Sequence, residues 1–292
     1  MTEAIPHLEI VGPGRAGLAL GSRLLEIGAV RRLTYSGRAA QPPDHALFRG
    51  ASPAAGYRGP GAPRSDPPDG IILAVPDAAI ATVAAELSHA ELTGAPPVLH
   101  LSGALGSDAL APLARRGLPT GSLHPLVAFA DDRAGARLDG AWFAVEGAPA
   151  ARALGERIVA ALNGHLLPLA EGEKTGYHAA AVAASNFVVA LLGVAERWMI
   201  DSGVPPRPAR EALATLAAGA VESYRRLGAV EALTGPVSRG DAETVRAHLA
   251  RLSPSDRPLY SVLASSALTL ARQRGLDPGA AAALARLLEP TE

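Results

Sequence analysis

His124 is the side chain best placed by type to move a proton. An imidazole titrates near neutral pH, and the following Pro125 stiffens the loop that would carry it. A lone histidine is as readily structural, so the reading depends on what else converges on it. Ser102, followed by Gly103, is a second candidate. Its hydroxyl either orients a substrate oxygen or caps the next turn. A third group interrupts an Ala/Val/Leu stretch: Lys174, Tyr177, His178, Ser185 and Asn186. Lys174 lies four residues before His178, and Ser185 and Asn186 lie seven and eight after it, so the spacing predicts one shared helical face. That stripe reads as the wall of a cleft, or else as a solvent-facing stripe or one bonded to neighbouring helices. Arg239, in the loop from Leu233 to Asp241, has the fork geometry to clamp a carboxylate; Asp241 reads as the cap of the next helix.

The N-terminal segment supplies a partner for such groups. Gly12-Pro13-Gly14-Arg15-Ala16-Gly17 follows the apolar run His7 to Val11 and opens a helical pattern. Strand, glycine turn and helix in that order read as a dinucleotide-binding turn: Gly12 for the tight turn, Gly14 for close backbone approach to a pyrophosphate, Gly17 for helix–strand packing. The first-turn N–H groups at Arg15 and Ala16 then face the phosphates. A dinucleotide's ribose is gripped about 20 residues on, at the end of the second strand. There the chain has Ser36-Gly37-Arg38 and no acid. A hydroxyl and a guanidinium suit a 2′-phosphate, with Arg15 as a second cation, so the expected cofactor is NADP rather than NAD. Val75 and Pro76, ending a later strand, are expected beside the nicotinamide half; Asp77 reads mainly as a helix start.

The elements that must hold these groups alternate. Strand patterns at 32–35, 70–75, 97–101, 119–123, 141–145 and 165–169 are interleaved with helical ones at 78–87, 107–116 and 149–162. This predicts a doubly wound α/β sheet. The stretch 39–69 is broken by Pro42, Pro43, Pro53, Pro60, Pro63, Pro67 and Pro68, which leave room for a worn-down helix and a short third strand. From Gly172 long helical periodicities take over: 174–199, 208–226, 242–252, 255–274 and 278–288. The reading is a nucleotide-binding domain over 1–170 and an all-α substrate and dimerisation domain over 171–292.

Composition narrows the function classes. With 27 basic and 28 acidic residues, the formal net charge of −1 gives nucleic-acid binding no electrostatic support. The absence of cysteine removes disulfides, thiolate metal sites and cysteine nucleophiles, and the eight histidines show no metal-ligand spacing, so no metal is expected. No basic n-region with an apolar core opens the chain, and no uncharged run of about 20 apolar residues stands out. Ala179 to Val194, the nearest, is interrupted by Ser185 and Asn186. A cytoplasmic protein with a small-molecule substrate and no membrane partner is the expectation.

In combination, the glycine turn, Leu101-Ser102-Gly103-Ala104, Ser122-Leu123-His124-Pro125-Leu126, Tyr177-His178 through Ser185-Asn186-Phe187, and Leu233-Thr234-Gly235-Pro236 with Arg239-Gly240-Asp241 resemble a known group. It is the bacterial two-domain family with a Rossmann-like N-terminal domain and a C-terminal domain of unknown function numbered 2520. The resemblance spans nearly the whole chain. It implies an NADP-dependent oxidoreductase of unsettled substrate, with a C-terminal domain like that of 6-phosphogluconate dehydrogenase. The layout is also similar to pyrroline-5-carboxylate reductase, ketopantoate reductase, the 3-hydroxyacid dehydrogenases and prephenate dehydrogenase. Ser102 and His124-Pro125 look like the serine and catalytic histidine of the last. The hydroxyacid enzymes' helix lysine is followed four residues later by asparagine. Here Lys174 is followed by His178 and Asn186 comes later, so a simple lysine general acid is in doubt.

The expected activity is therefore hydride transfer between NADP(H) and a small carbonyl, imine or hydroxy acid. His124 would handle the proton, Ser102 the reacting oxygen, His178, Asn186 and Lys174 the pocket, and Ser185 and Arg239 the substrate. The alternative is a non-catalytic NADP-binding sensor or partner-binding protein. No residue points to a deazaflavin. The Ala/Leu-rich helical half predicts a homodimer.

Overall fold

The computed structural model describes residues 3–49, 54–62, 66–130, 135–170 and 172–289. Two compact units emerge, one ending at Val188 and the other beginning at Val189. The first is built on an eight-stranded sheet. Its strands are Ile5–Val11 (β1), Val30–Ser36 (β2), Ala55–Arg58 (β3), Gly70–Leu73 (β4), Val98–His100 (β5), Thr120–Pro125 (β6), Trp142–Gly147 (β7) and His165–Leu167 (β8). The spatial order is β3-β2-β1-β4-β5-β6-β7-β8. All neighbours run parallel except β6 and β7. The chain leaves β1 toward β2 and β3, then returns to the other side of β1 for β4. Open α/β sheets leave a crevice at the strand C-termini where the order reverses in this way.

The two faces of the β1–β2 region differ in chemistry. On one, Leu8, Ile10, Leu33 and Tyr35 form a core with Leu20 and Leu24 of the helix Arg15–Glu26 (α1). The helix lies so close that a Cβ on Gly21 would sit 2.2 Å from the Tyr35 hydroxyl. On the other face, His7 Nε2 and Thr34 Oγ1 are 2.9 Å apart. Ser36 Oγ donates to Glu9 Oε1 at 2.9 Å, and the Arg58 guanidinium pairs with Glu9 Oε2 at 2.9 Å. Glu9 is fully buried, which a carboxylate tolerates only when paired and hydrogen-bonded. In a doubly wound sheet a helix between β3 and β4 would cover this face. Here the connection is the Pro/Gly-rich stretch, and the Pro67 carbonyl and Asp69 carboxylate meet His7 instead. As the prolines imply, the described residues of 39–69 yield only one helical turn, Ala46–Arg49 (α2), and the short β3; Pro53 and Pro63 lie outside the described residues.

The remaining helices of the first unit are Asp77–Ser88 (α3), Ala111–Ala114 (α4), Pro149–Ala161 (α5) and Lys174–Ala184 (α6). Two local expectations change. The stretch 107–116 is a 3-10 turn, Ser107–Leu110, followed by the single α-helical turn α4. Asp77 begins α3 without capping it by a side-chain bond, because Pro76 occupies the cap position. The pattern changes character near residue 170 in sequence, while the compact units divide after Val188, since α6 is tied by side chains to β5 and β6.

In place of one helix over 174–199, α6 ends at Ser185, whose φ of −120° and ψ of −73° break the ladder, and Asn186–Asp201 (α7) restarts it. The second unit continues with Pro206–Ala232 (α8), bent at Gly228 (φ 75°), then Ala242–Arg251 (α9), Arg257–Gln273 (α10) and Pro278–Leu288 (α11). Asp241 caps α9 as expected, accepting from Thr244 N at 3.0 Å. Val237, Val245, Ala264, Leu268, Ala281, Leu284 and Leu288 make a core. By contrast Val189, Leu216, Val221, Tyr224 and Val262 are exposed. The expectation of no membrane-length run needs correction. Among the described residues, Lys174–Asp201 is long and apolar enough to cross a membrane. Its interrupting groups, Tyr177, His178, Ser185 and Asn186, are uncharged or weakly so and do not lower its apolar character enough. The core helix of a soluble protein passes the same test of length and composition.

Candidate active site at the strand ends

The glycine turn closes tightly onto its neighbours. Gly12 N donates to Ser36 O at 2.8 Å, and Ala74 N donates to Val11 O at 2.8 Å, so the ends of β2, β1 and β4 are locked together. Gly12 has φ 103°, and a Cβ there would lie 2.5 Å from the Ala74 carbonyl and 2.9 Å from Val75 Cγ1. A Cβ on Gly17 would lie 2.3 Å from the Gly12 carbonyl. Gly14 is different: nothing lies within 4 Å of its Cβ position. It is also the N-cap of α1 and contributes no side-chain cap. The first-turn N–H groups, at Arg15, Ala16 and Gly17, therefore face an open approach, which is the cradle a pyrophosphate needs. Arg15 and Arg38 are both exposed. Ser36 is buried, and its hydroxyl hydrogen is already given to Glu9.

Two and three strand spacings from β1, roughly 10–14 Å at the usual inter-strand distance, a polar cluster gathers at the ends of β5 and β6. His100 and Ser122 are register partners there. Ser122 and His124 alternate along β6 and share a side. From α6, Lys174, Tyr177 and His178, at i, i+3 and i+4, present one face. Lys174 Nζ donates to Ser102 O at 2.9 Å and to Ser122 Oγ. His124 Nδ1 and Tyr177 Oη are hydrogen-bonded at 2.6 Å. The His124 and His178 rings lie 6.0 Å apart, centre to centre, at 76°. His178 Nδ1 is out of water with no hydrogen-bond partner among the described residues. Ser102 Oγ accepts from Ala104 N and Leu105 N at 3.2 and 3.1 Å, so it caps the turn while its own hydrogen remains free to be donated. His100 Nε2 meets the Gly106 carbonyl at 2.9 Å, and Ser102 N donates to its Nδ1 at 3.2 Å.

Burial sets the charge states. It pushes the His124 imidazole down to about 4, with the Lys174 ammonium and the neighbouring His178 and His100 adding to the shift. Burial also takes His100 to about 4 and Lys174 down to about 8, the latter opposed by Glu146 and Asp77. Tyr177 is pushed up to about 12 by burial and keeps its proton. At neutral pH the His100 and His124 imidazoles are uncharged, Tyr177 is a phenol and Lys174 is a cation.

A stability test follows from these shifts. An unfolded histidine takes up a proton near its ordinary value of about 6.5, whereas His100 and His124 resist until about 4. Stability is therefore lost as pH falls from about 6.5 toward 4, by on the order of 3 kcal/mol per histidine. Lys174 acts at the other end: its folded value lies below the unfolded one, so stability rises between about 8 and 10.5. Urea titrations of wild type and His124→Gln at pH 7 and 5 check this. Equal pH slopes in the two proteins would contradict it.

The structure thus brings together Ser102, His124, Lys174 and His178, and sets Val75 beside the glycine turn, with Pro76 next to it in sequence as the cap residue of α3. It does not extend the α6 face to Ser185 and Asn186, which are exposed beyond the helix break. Arg239 stands in the second unit, in an open cavity of about 500 Å³ with Thr234, Ser238, Arg274 and Asp277. Sequence reading passed over His100, Ser122 and Gly103. Ser122 was discoverable, being two residues before His124 on a strand; His100 was not, since one histidine in an apolar strand carries no periodic signal. Among the described residues no group of three or more His, Cys, Asp or Glu could hold a metal.

A sheet that reverses its order beside an uncapped glycine turn defines a Rossmann-like protein, and comparison with known proteins agrees. Residues 59–125 match the Rossmann-like domain model. Residues 141–267 match the domain of unknown function DUF2520, so the chain joins a Rossmann-like domain to a DUF2520 domain. No curated protein matches the sequence. Among solved structures, a protein from Thermotoga maritima is 24% identical, with a TM-score of 0.69 over 91% of this chain and 99% of that one. A protein from Bacteroides fragilis, named as a candidate NADP oxidoreductase, is 18% identical, with a TM-score of 0.70 over 91% and 99%. Pyrroline carboxylate reductase from Plasmodium falciparum, with NADP bound, is 14% identical, with a TM-score of 0.60 over 99% and 98%. At these identities the likeness is one of fold, shared with NAD(P)-dependent reductases and dehydrogenases.

Proposed function

We propose that this chain is an NADP(H)-dependent oxidoreductase acting on a small carbonyl, imine or hydroxy acid, with His124 as the proton-transfer residue. The observation that carries the reading is the buried cluster at the ends of β5 and β6, on the same sheet edge as the open Gly14 turn. A purely structural protein, or a sensor, gains nothing from holding Lys174 almost fully buried beside two imidazoles, at a desolvation cost. When bound, the nicotinamide supplies or accepts the hydride. The chain's own part is to hold the phosphates on the α1 N-terminus and manage the proton. Tyr177 occupies Nδ1 of His124, leaving Nε2 as the nitrogen that faces the reacting oxygen or nitrogen. The free hydrogen of Ser102 orients that atom, and His178 completes the wall. Lys174 holds Ser102 and Ser122 in register and keeps His124 uncharged. Arg239, in the open cavity of the second unit, is read as a clamp for an anionic group.

The preference for NADP rests on the missing acid at the end of β2 and on Arg15 and Arg38, exposed at the glycine turn. Ser36, committed to Glu9, has only a backbone and oxygen role left. Titration with NADPH and NADH, followed by nicotinamide fluorescence, tests the whole reading. NADPH is expected to bind in the micromolar range, at least about tenfold tighter than NADH. Binding of neither would remove the oxidoreductase proposal.

We also infer a homodimer through the second unit. Val189 (71% exposed), Leu216 (70%) and Val262 (65%) present apolar surface that a monomer would leave in water. Light scattering should give about twice the 29.7 kDa chain mass. A monomeric mass at micromolar concentration rules the dimer out.

A further inference from the structure

Gly103 is the residue that the cluster closes around. It is buried, directly after Ser102, at the end of the β5 strand. A Cβ placed on it would lie 2.6 Å from Nδ1 of His178 and 2.7 Å from both Nε2 and Cε1 of His124. Real Cβ atoms do not approach other atoms so closely, and here the obstacles are rigid rings. The His124 ring is fixed by Tyr177 at Nδ1, and His178 is fixed to the same helix one residue on. The backbone at Gly103 does not itself demand glycine, because its φ is not positive. The glycine is required by the side chains opposite it.

The nitrogens it brings together have no hydrogen-bond partner among the described residues. Nδ1 of His178 is buried without a partner. Nε2 of His124 has no hydrogen-bond partner among the described residues, and its other nitrogen is taken by Tyr177. A buried, unpaired polar atom costs stability unless something bound at the site satisfies it. We propose that His124 and His178 act as a two-imidazole unit that engages one polar atom of the substrate, a carbonyl or carboxylate oxygen or an imine nitrogen. In this unit Gly103 is the positioning residue that lets the rings converge. The catalytic consequence rests on the oxidoreductase reading above; the geometry of the pair does not.

The test uses the full chain and reads the histidines directly. Imidazole Cε1–Hε1 signals are followed by NMR from pH 3.5 to 9 in wild type, Gly103→Ala and His178→Gln. The groups facing His124 are Tyr177, His178 and Lys174 from α6 and His100 from β5, with Glu146 of β7 and Asp77 of α3 acting on Lys174. All of them remain in the Gly103→Ala protein. Gly103→Ala is expected to shift the His124 and His178 signals and raise the His124 midpoint by about half a unit or more, as the ring is displaced toward water. The signals of His7 and His248 should stay. His178→Gln should also move the His124 midpoint upward, by removing a neighbour that competes for a proton. With a substrate in hand, Gly103→Ala should lose about 10²-fold in turnover with NADPH affinity within about twofold. A folded Gly103→Ala protein with unchanged His124 and His178 signals would overturn the proposal. If that variant does not fold, an unmoved His124 midpoint in His178→Gln does so instead. Failure of NADPH to bind wild type would remove the redox reading and leave the spectra to decide on the pair.

Discussion

Gly14→Ala is expected to weaken NADPH binding at least tenfold while leaving Tm within about 2 °C, and Gly17→Ala is expected to lower Tm and binding together. The two glycines sit three residues apart in one turn, yet the space around them differs. A methyl group on Gly17 would press to 2.3 Å from the Gly12 carbonyl and 3.0 Å from Ala74 Cβ, so α1 would have to back away from the sheet. Overpacking against backbone costs roughly 1–3 kcal/mol, which in a chain of this size is several degrees in Tm. On Gly14 the same methyl group meets nothing within 4 Å, and φ of −83° suits alanine. The exchange at a cap position costs little. Only a ligand arriving at the α1 N-terminus would feel it. Thermal melts with and without NADPH, together with fluorescence titrations, separate the two effects. If Gly14→Ala binds as wild type does, the open face of Gly14 is not the phosphate approach.

That contrast also shows which features could be read without coordinates. The turn, the strand ends and the helical second half follow from periodicity and glycine spacing, since each is a local rule. Lys174, Tyr177 and His178 could be grouped because i, i+3 and i+4 share a face in any helix. What failed was the extension of that face to Ser185 and Asn186. It assumed a helix whose continuity depends on packing, and the backbone breaks at Ser185. The antiparallel β7 was equally out of reach, because its apolar pattern is the same in either direction. So was the buried Glu9, one acid in an apolar strand: its partners Ser36 and Arg58 come from strands 27 and 49 residues further on. The Ser36 reading suffered for the same reason. Its position at the end of β2 was legible, while the carboxylate that takes its hydrogen lies on another strand. Gly103 was visible only as the residue after a candidate serine, because the reason for it lies in two rings contributed by β6 and α6.

The largest loss of activity is expected for His124→Ala, about 10²-fold or more in turnover with NADPH affinity unchanged. The ring is not needed to hold the cofactor, since it stands three strands from the glycine turn. It is held for chemistry: Tyr177 Oη at 2.6 Å fixes its rotation, and burial with the Lys174 ammonium keeps it uncharged down to about pH 4. In the neutral tautomer whose Nδ1 accepts the Tyr177 hydroxyl hydrogen, Nε2 carries the proton and can give it to an alkoxide or amide ion forming on the substrate, leaving an imidazolate beside the Lys174 ammonium; in the tautomer whose Nδ1 donates to Tyr177, Nε2 can take a proton in the reverse direction. Tyr177→Phe leaves the ring in place without its tether and should cost less than the alanine exchange. The pH profile gives a second, independent reading. His124 contributes no titration between pH 5 and 7, so the rate should be flat there. Above pH 8 Lys174 loses its proton. The nearby positive charge that favours proton release from His124 then disappears, so reduction should slow with a midpoint near 8. Lys174→Met should lack this limb and titrate His124 at a higher pH than wild type. A His124→Ala enzyme that keeps turnover within about threefold would show that the ring is structural. So would one that loses turnover and cofactor affinity by the same factor, because a proton-transfer group acts only after both ligands are in place.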